Sequence, residues 1–182
     1  LYQWIEIMIS LTRIVYLALA IILTGSLALL DYYLPEKQLV TVTGGEVKRV
    51  DKDGPIGADN PADGPTHDVY FIYTRLENGQ VRVFSNEDTR WHFPFYFKFN
   101  SADIQAKAIS EASLNKKAVL SSYGWRFNIL SMFPNTLDVK EANDSPNLFS
   151  FIRISGFTIW TVIWVFILFK TRKLLKKKSM AA

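Results

Sequence analysis

The chain has no cysteine. That excludes disulfides, Cys-ligated zinc, iron–sulfur clusters and a thiol nucleophile together. It has two histidines, His67 and His92, too far apart in sequence to form a His-x-His or HExxH metal pair. No glycine-rich phosphate loop and no serine nucleophile motif is present. No cofactor and no metal site is therefore expected. One stretch invites a calcium reading: Asp51, Asp53, Asp59 and Asp63 lie in a Gly/Pro/Asp-rich segment. Pro55, however, stands where an EF-hand needs its third ligand, so a solvated loop is the expectation.

What the chain does have is long apolar runs. Residues 149–169 (FSFIRISGFTIWTVIWVFILF) form a run of 21, and about 20 apolar residues in helix cross a bilayer core. The run ends in a dense cationic tail over 170–182, with Lys170, Arg172, Lys173, Lys176, Lys177 and Lys178. Such clusters stay in the cytoplasm and attract anionic headgroups. The tail carries six cations, more than the +4 of the whole molecule. Residues 35–148 carry 13 Lys or Arg against 15 Asp or Glu, so the basic pI is no sign of nucleic-acid binding by this part.

At the other end, Gln3, Glu6, Ser10 and Arg13 recur at helical steps and form a polar stripe. Residues 1–13 thus read as an interfacial or extended amphipathic helix. Residues 14–34 read as a transmembrane helix, closed by Asp31, two tyrosines and Pro35. The n-region is barely basic and no clear small-x-small cleavage site follows, so a retained span is expected rather than a cleaved signal. Two spans put both termini on one side, the cytoplasm, and residues 35–148 on the other.

The expected fold is membrane α+β: two transmembrane helices flanking an extracytoplasmic antiparallel β-sheet domain with one helix. A strand covers KQLVTVTGGEVKRVD, with a bulge or bend at Gly44-Gly45. Asn78-Gly79 between two β-rich runs predicts a hairpin. Phe71 and Tyr73 oppose Tyr70, Ile72 and Thr74, which predicts a strand covered on both faces. The alternation Phe93, Phe95, Phe97, Phe99 predicts a further strand packed in the core, with a lipid or partner surface as the alternative. A helix starts at Asn100 or Ser101 with a Ser cap; Ala102, Gln105, Ala106 and Ile109 lie near one face. Strands follow over 118–133, bent at Gly124, and over 136–140.

Glu87, Asp88, Arg90, His92, Tyr123 and Arg126 form the candidate ligand or interaction cluster. They include acid–base groups and an anion binder, but none makes a known catalytic spacing. The bland reading is a capped turn with carboxylates paired to Arg90 or Arg126, so no catalytic residue is assigned. In the second span, Trp160 and Trp164 share a face, while small residues on both spans permit close approach. These tryptophans are candidate membrane or partner contacts, as is Arg153, whose bland role is snorkelling to headgroups.

EVKRVD, DVYFIYT, NEDTRWHFPFYFKFNSADIQAKA and YGWRFNILSMFPN, in that order between two spans, resemble a bacterial family of two-span membrane proteins. It is the domain of unknown function numbered fifteen twenty-three. Arg90 and His92 stand where that family more usually has glycine. The resemblance implies no activity, cofactor or catalytic residue. The resulting expectation is an accessory or scaffolding subunit in the bacterial inner membrane, with both termini cytoplasmic and 35–148 periplasmic. Its partners would be the lipid bilayer and other membrane subunits or copies of itself. The alternative is a membrane-tethered periplasmic ligand-binding or enzymatic domain.

Overall fold

The computed structural model describes residues 2–52 and 54–181, with side chains described over 12–52 and 56–177. Asp53, the side chains of Gln3, Glu6 and Ser10 in the polar stripe, and that of Lys178 lie outside this description. The chain divides into a helical unit, residues 1–32 and 151–182, and a second unit, residues 33–150.

The helical unit holds α1 (Tyr2–Tyr33) and α3 (Phe151–Ala181). Thr12–Tyr33 and Phe151–Lys177 are each long and apolar enough to span a membrane. α1 runs unbroken through the expected amphipathic segment, and the basic tail continues α3 as helix. Side-chain contacts join the pair. The Trp160 indole N–H donates to Ser26 Oγ at 3.1 Å, and the Arg153 guanidinium pairs with Asp31. The register of these contacts makes the helices antiparallel.

The second unit is built on β1 (Glu36–Asp51), a strand of 16 residues that serves two partners. Its first part, Glu36 to Thr41, pairs with β5 (Lys117–Tyr123). Its remainder, Val40 to Val50, pairs with β3 (His67–Leu76), with a register shift between Val42 and Gly44. An extra residue there bends the strand, in keeping with the Gly44-Gly45 signal. β3 forms a hairpin with β4 (Val81–Asn86) across the Asn-Gly turn, where Gly79 takes φ +82°. β5 pairs with β6 (Asn135–Glu141). β6 meets β4 in parallel at one pair, Ser85 with Asn135. A two-residue β2 (Gly54–Pro55) extends the edge of β1.

The ring β1-β3-β4-β6-β5-β1 is therefore closed, and the expected antiparallel sheet curls into a small barrel with one parallel seam. With a helix between its third and fourth ring strands, this is the plan of an OB-type barrel. Val40, Val42, Ile72, Phe84, Leu120 and Val139 fill the interior. α2 (Ser101–Ser113) closes it with Ile104 and Ala108. Its buried face is Ser101, Ile104, Gln105 and Ala108. Of the face expected from sequence, Gln105 alone is buried. A Cβ on Gly45 would lie 2.5 Å from the Gln105 amide and 3.0 Å from the Phe71 carbonyl, so any larger residue would displace the Gln105 side chain from its place in the Asn86–Gln105–Phe71 hydrogen bonds.

Phe71 and Tyr73 are half-buried on the outside of β3, so that face is partly covered rather than fully. Phe71 meets Phe133 edge-on at 5.2 Å, with the Lys48 ammonium 5.8 Å from its ring centre. The Tyr73 hydroxyl donates to Glu46, which holds that carboxyl below its ordinary range.

Candidate functional site

The barrel is weakest where β4 meets β6, because a single residue pair bridges them. Polar side chains complete the closure. The Lys98 ammonium donates to Asn86 Oδ1 at 2.6 Å, the Thr136 carbonyl at 2.6 Å and the Glu87 carbonyl at 3.0 Å. Three acceptors satisfy all three of its donors. Burial pushes the Lys98 pKa down to about 8, against the opposing pull of the Asp88 and Glu87 charges. Asn86 in turn donates to the Ser101 carbonyl at 2.8 Å and to Gln105 Oε1 at 3.3 Å. The Gln105 amide donates to the Phe71 carbonyl at 3.1 Å. One buried network thus runs from β6 through Lys98 and Asn86 to α2 and β3. Deep polar groups persist only when partnered in this way.

The candidate cluster does not form one site. Asp88 accepts the Ser101 backbone N–H at 2.9 Å and so caps α2. Neither Asn100 nor Ser101 performs the role expected of it there; the N-cap residue makes no side-chain capping bond. The Glu87 backbone is clamped by Asn135, which accepts its N–H at 2.8 Å and donates to its carbonyl at 3.1 Å. Asn135 also donates to the Tyr123 hydroxyl at 3.2 Å, and the Tyr123 ring lies 5.1 Å from that of Tyr96. Arg126 belongs to another loop. Its guanidinium donates to the carbonyls of Phe127 and Met132 and lies 4.1 Å from the centre of the Phe133 ring. Arg90 and His92 are exposed. Arg90 adopts φ +49°, a conformation glycine takes without strain. A shallow depression of about 280 Å³, lined by Leu39, Leu76, Glu77 and Lys117, lies by the β3–β4 turn, away from all six.

The residues between β4 and α2 are the largest departure from expectation. Residues 87–100 form a loop, and its rings point outward. Trp91, Phe93, Phe95, Phe97 and Phe99 are each more than half exposed. They touch one another: Trp91 meets Phe97 at 5.5 Å and Phe99 at 5.4 Å, and Phe95 stacks on Phe97 at 6.2 Å. Phe97 is held at φ +49°, which breaks the strand alternation. Two anchors fix the loop. Lys98 pins it to the barrel seam from within, while Phe93 packs on Tyr33 at 4.6 Å and the Tyr96 hydroxyl donates to the Tyr33 carbonyl.

Sequence reasoning passed over Lys98. Its one signal was a lone cation in the aromatic run PFYFKF. In the helical unit, Trp160 and Trp164 lie 6.1 Å apart, and Trp164 is buried. Arg153 is paired with Asp31, and its guanidinium lies 5.3 Å from the Phe157 ring centre. Lys170, Arg172, Lys173, Lys176 and Lys177 are exposed along α3. Among the described residues no group of His, Asp and Glu is gathered for a metal ion.

A Haemophilus influenzae protein described as an uncharacterized protein is 49% identical over 122 residues, covering 66% of this chain and 70% of the relative. No solved structure matches the chain. Residues 11–175, spanning both apolar helices and the whole barrel, match the family described as protein of unknown function (DUF1523). The chain belongs to that family.

Proposed function

We propose that this chain is an accessory or scaffolding subunit of a bacterial inner-membrane assembly. α1 and α3 span the membrane with both termini cytoplasmic, and the basic end of α3 rests on anionic headgroups. The barrel stands on the periplasmic side as an interaction module. The observation that carries this reading is how the polar residues are used. Asp88, Asn86, Lys98, Asn135 and Arg126 hold loops and the barrel seam, and apolar side chains fill the interior. What remains for recognition is a surface. The outer face of β1 and β3, with half-buried Phe71 and Tyr73 beside Glu46 and Lys48, has the aromatic and charged mixture of a protein contact. The tethered-enzyme reading has less support, because its six candidate residues serve separate structural tasks.

Native extraction in a mild detergent, followed by mass measurement of the intact particle, tests this. The expected particle is heavier than one chain plus detergent and is lost in a Phe71→Ser/Tyr73→Ser double variant that still folds. A solitary monomer in every detergent and lipid nanodisc contradicts it.

A further inference from the structure

The exposed apolar side chains of the barrel unit are not scattered. Of 14 large ones, five are in the loop 91–99, three in the β5–β6 loop and two are Leu148 and Phe149 before α3. Ile129, at the tip of the β5–β6 loop, is 97% exposed. Topology brings these groups to one end. Glu36, where β1 begins, pairs with Ser122 near the end of β5, and Ser85 near the end of β4 pairs with Asn135 where β6 begins. The chain also enters and leaves the barrel here. Lys37 donates to the Phe149 carbonyl at 2.9 Å and Ser150 donates to the Pro35 carbonyl at 2.9 Å. The aromatic loop rests on Tyr33, the last residue of the apolar span Thr12–Tyr33.

We propose that this apolar end is a membrane-seating surface: the loops 91–99 and 127–132 insert into the interfacial layer of the leaflet where α1 and α3 emerge. The proposal rests on the membrane-spanning reading above and goes beyond it. Position selects lipid as the occupant. Phe93 touches the residue at which the span ends, so its ring is within a side chain's length of the bilayer surface. Chemistry agrees, because tryptophan and tyrosine suit the headgroup boundary, phenylalanine suits the acyl layer just beneath it, and a cluster this large is costly to leave in water. Arg90 and His92, exposed among the rings, are placed to meet phosphates. Lys98 and the Tyr33 contacts hold the loop in its inserted form beforehand, which lowers the entropy lost on insertion.

The absence of cysteine allows a direct test. Four full-length variants, Phe95→Cys, Ile129→Cys, Ile21→Cys and Asn78→Cys, would each carry one nitroxide. Each would be reconstituted in phosphatidylethanolamine/phosphatidylglycerol vesicles, and collisions with oxygen compared with those of a water-soluble nickel chelate. Positions 95 and 129 lie in different loops, so a local folding failure at one leaves the other informative. Position 21 reports α1 and position 78 the far turn. The expected result is several-fold oxygen preference at 95 and 129, as at 21, and nickel preference at 78. Nickel preference at 95 and 129 with 21 still in lipid overturns the seating surface alone. Suppression of both collisions at 95 and 129 overturns it in favour of a copy of this chain or a protein partner. Nickel preference at 21 removes the spanning reading itself.

Discussion

Phe84 and Phe95 are the same side chain a short distance apart in sequence, yet Phe84 has no exposure and Phe95 is 62% exposed. Phe84 lies on β4 and points into the barrel among Ile72, Leu120 and Val139. Phe95 lies on the loop that follows and touches only other rings of that loop among the described ring contacts. Each phenylalanine is worth roughly 1.5–3 kcal/mol of transfer free energy when fully buried. In Phe84 that free energy goes into folding. In Phe95 and its neighbours most of it is left available for something outside the chain. The boundary between the two regimes is Lys98, an inward-pointing cation in the middle of the outward-pointing rings.

The largest effect that would sharpen this contrast is Phe84→Ala. Emptying a fully buried ring site costs about 3–5 kcal/mol, read as an earlier barrel melt in detergent. The next concerns the boundary. An unfolded lysine keeps its proton to about 10.5, whereas folded Lys98 releases it near 8. Between those pH values the unfolded chain holds more protons, so barrel stability rises with pH there and is lower below 8. The full gain is about 3 kcal/mol, since each tenfold loss of proton affinity on folding corresponds to about 1.36 kcal/mol. A thermal-melt series from pH 7 to 10.5 measures it. Lys98→Met abolishes that rise and strands three acceptors, lowering stability at neutral pH by about 1–3 kcal/mol. A rise that survives in the methionine variant breaks the assignment. The smallest effect on folding is Phe95→Ser, expected within about 0.5 kcal/mol of the parent. A loss comparable to that of Phe84→Ala would erase the distinction between the two phenylalanines.

The hairpin was legible because Asn78-Gly79 between β-rich runs supplies the positive φ the turn needs, taken by Gly79. The start of α2 was legible to within a residue, but its cap was not, since Asp88 reaches it from 13 positions away. Barrel closure was illegible for a similar reason. It depends on β1 being long enough to divide itself between β3 and β5, and no short-range pattern records a strand with two partners. The strand expected over 93–99 is a loop, because alternation is common to a half-buried strand and to a loop that exposes every second ring. Lys98 was the residue that could have separated these readings. The candidate cluster was drawn from residues that are chemically versatile, and versatility also suits them to capping and clamping. Arg126 satisfying the carbonyls of its own loop is the plainest case.

The most direct measurement of the membrane-seated barrel uses Trp91. In the full chain with Trp4, Trp125, Trp160 and Trp164 replaced by phenylalanine, its emission would be recorded in vesicles whose lipids carry bromine at graded acyl depths. The expected result is blue-shifted emission quenched most by the shallowest bromines, with the quenching lost when Phe93, Phe95 and Phe97 are changed to serine. Water-like emission indifferent to bromine at any depth, from a folded and inserted chain, contradicts the account.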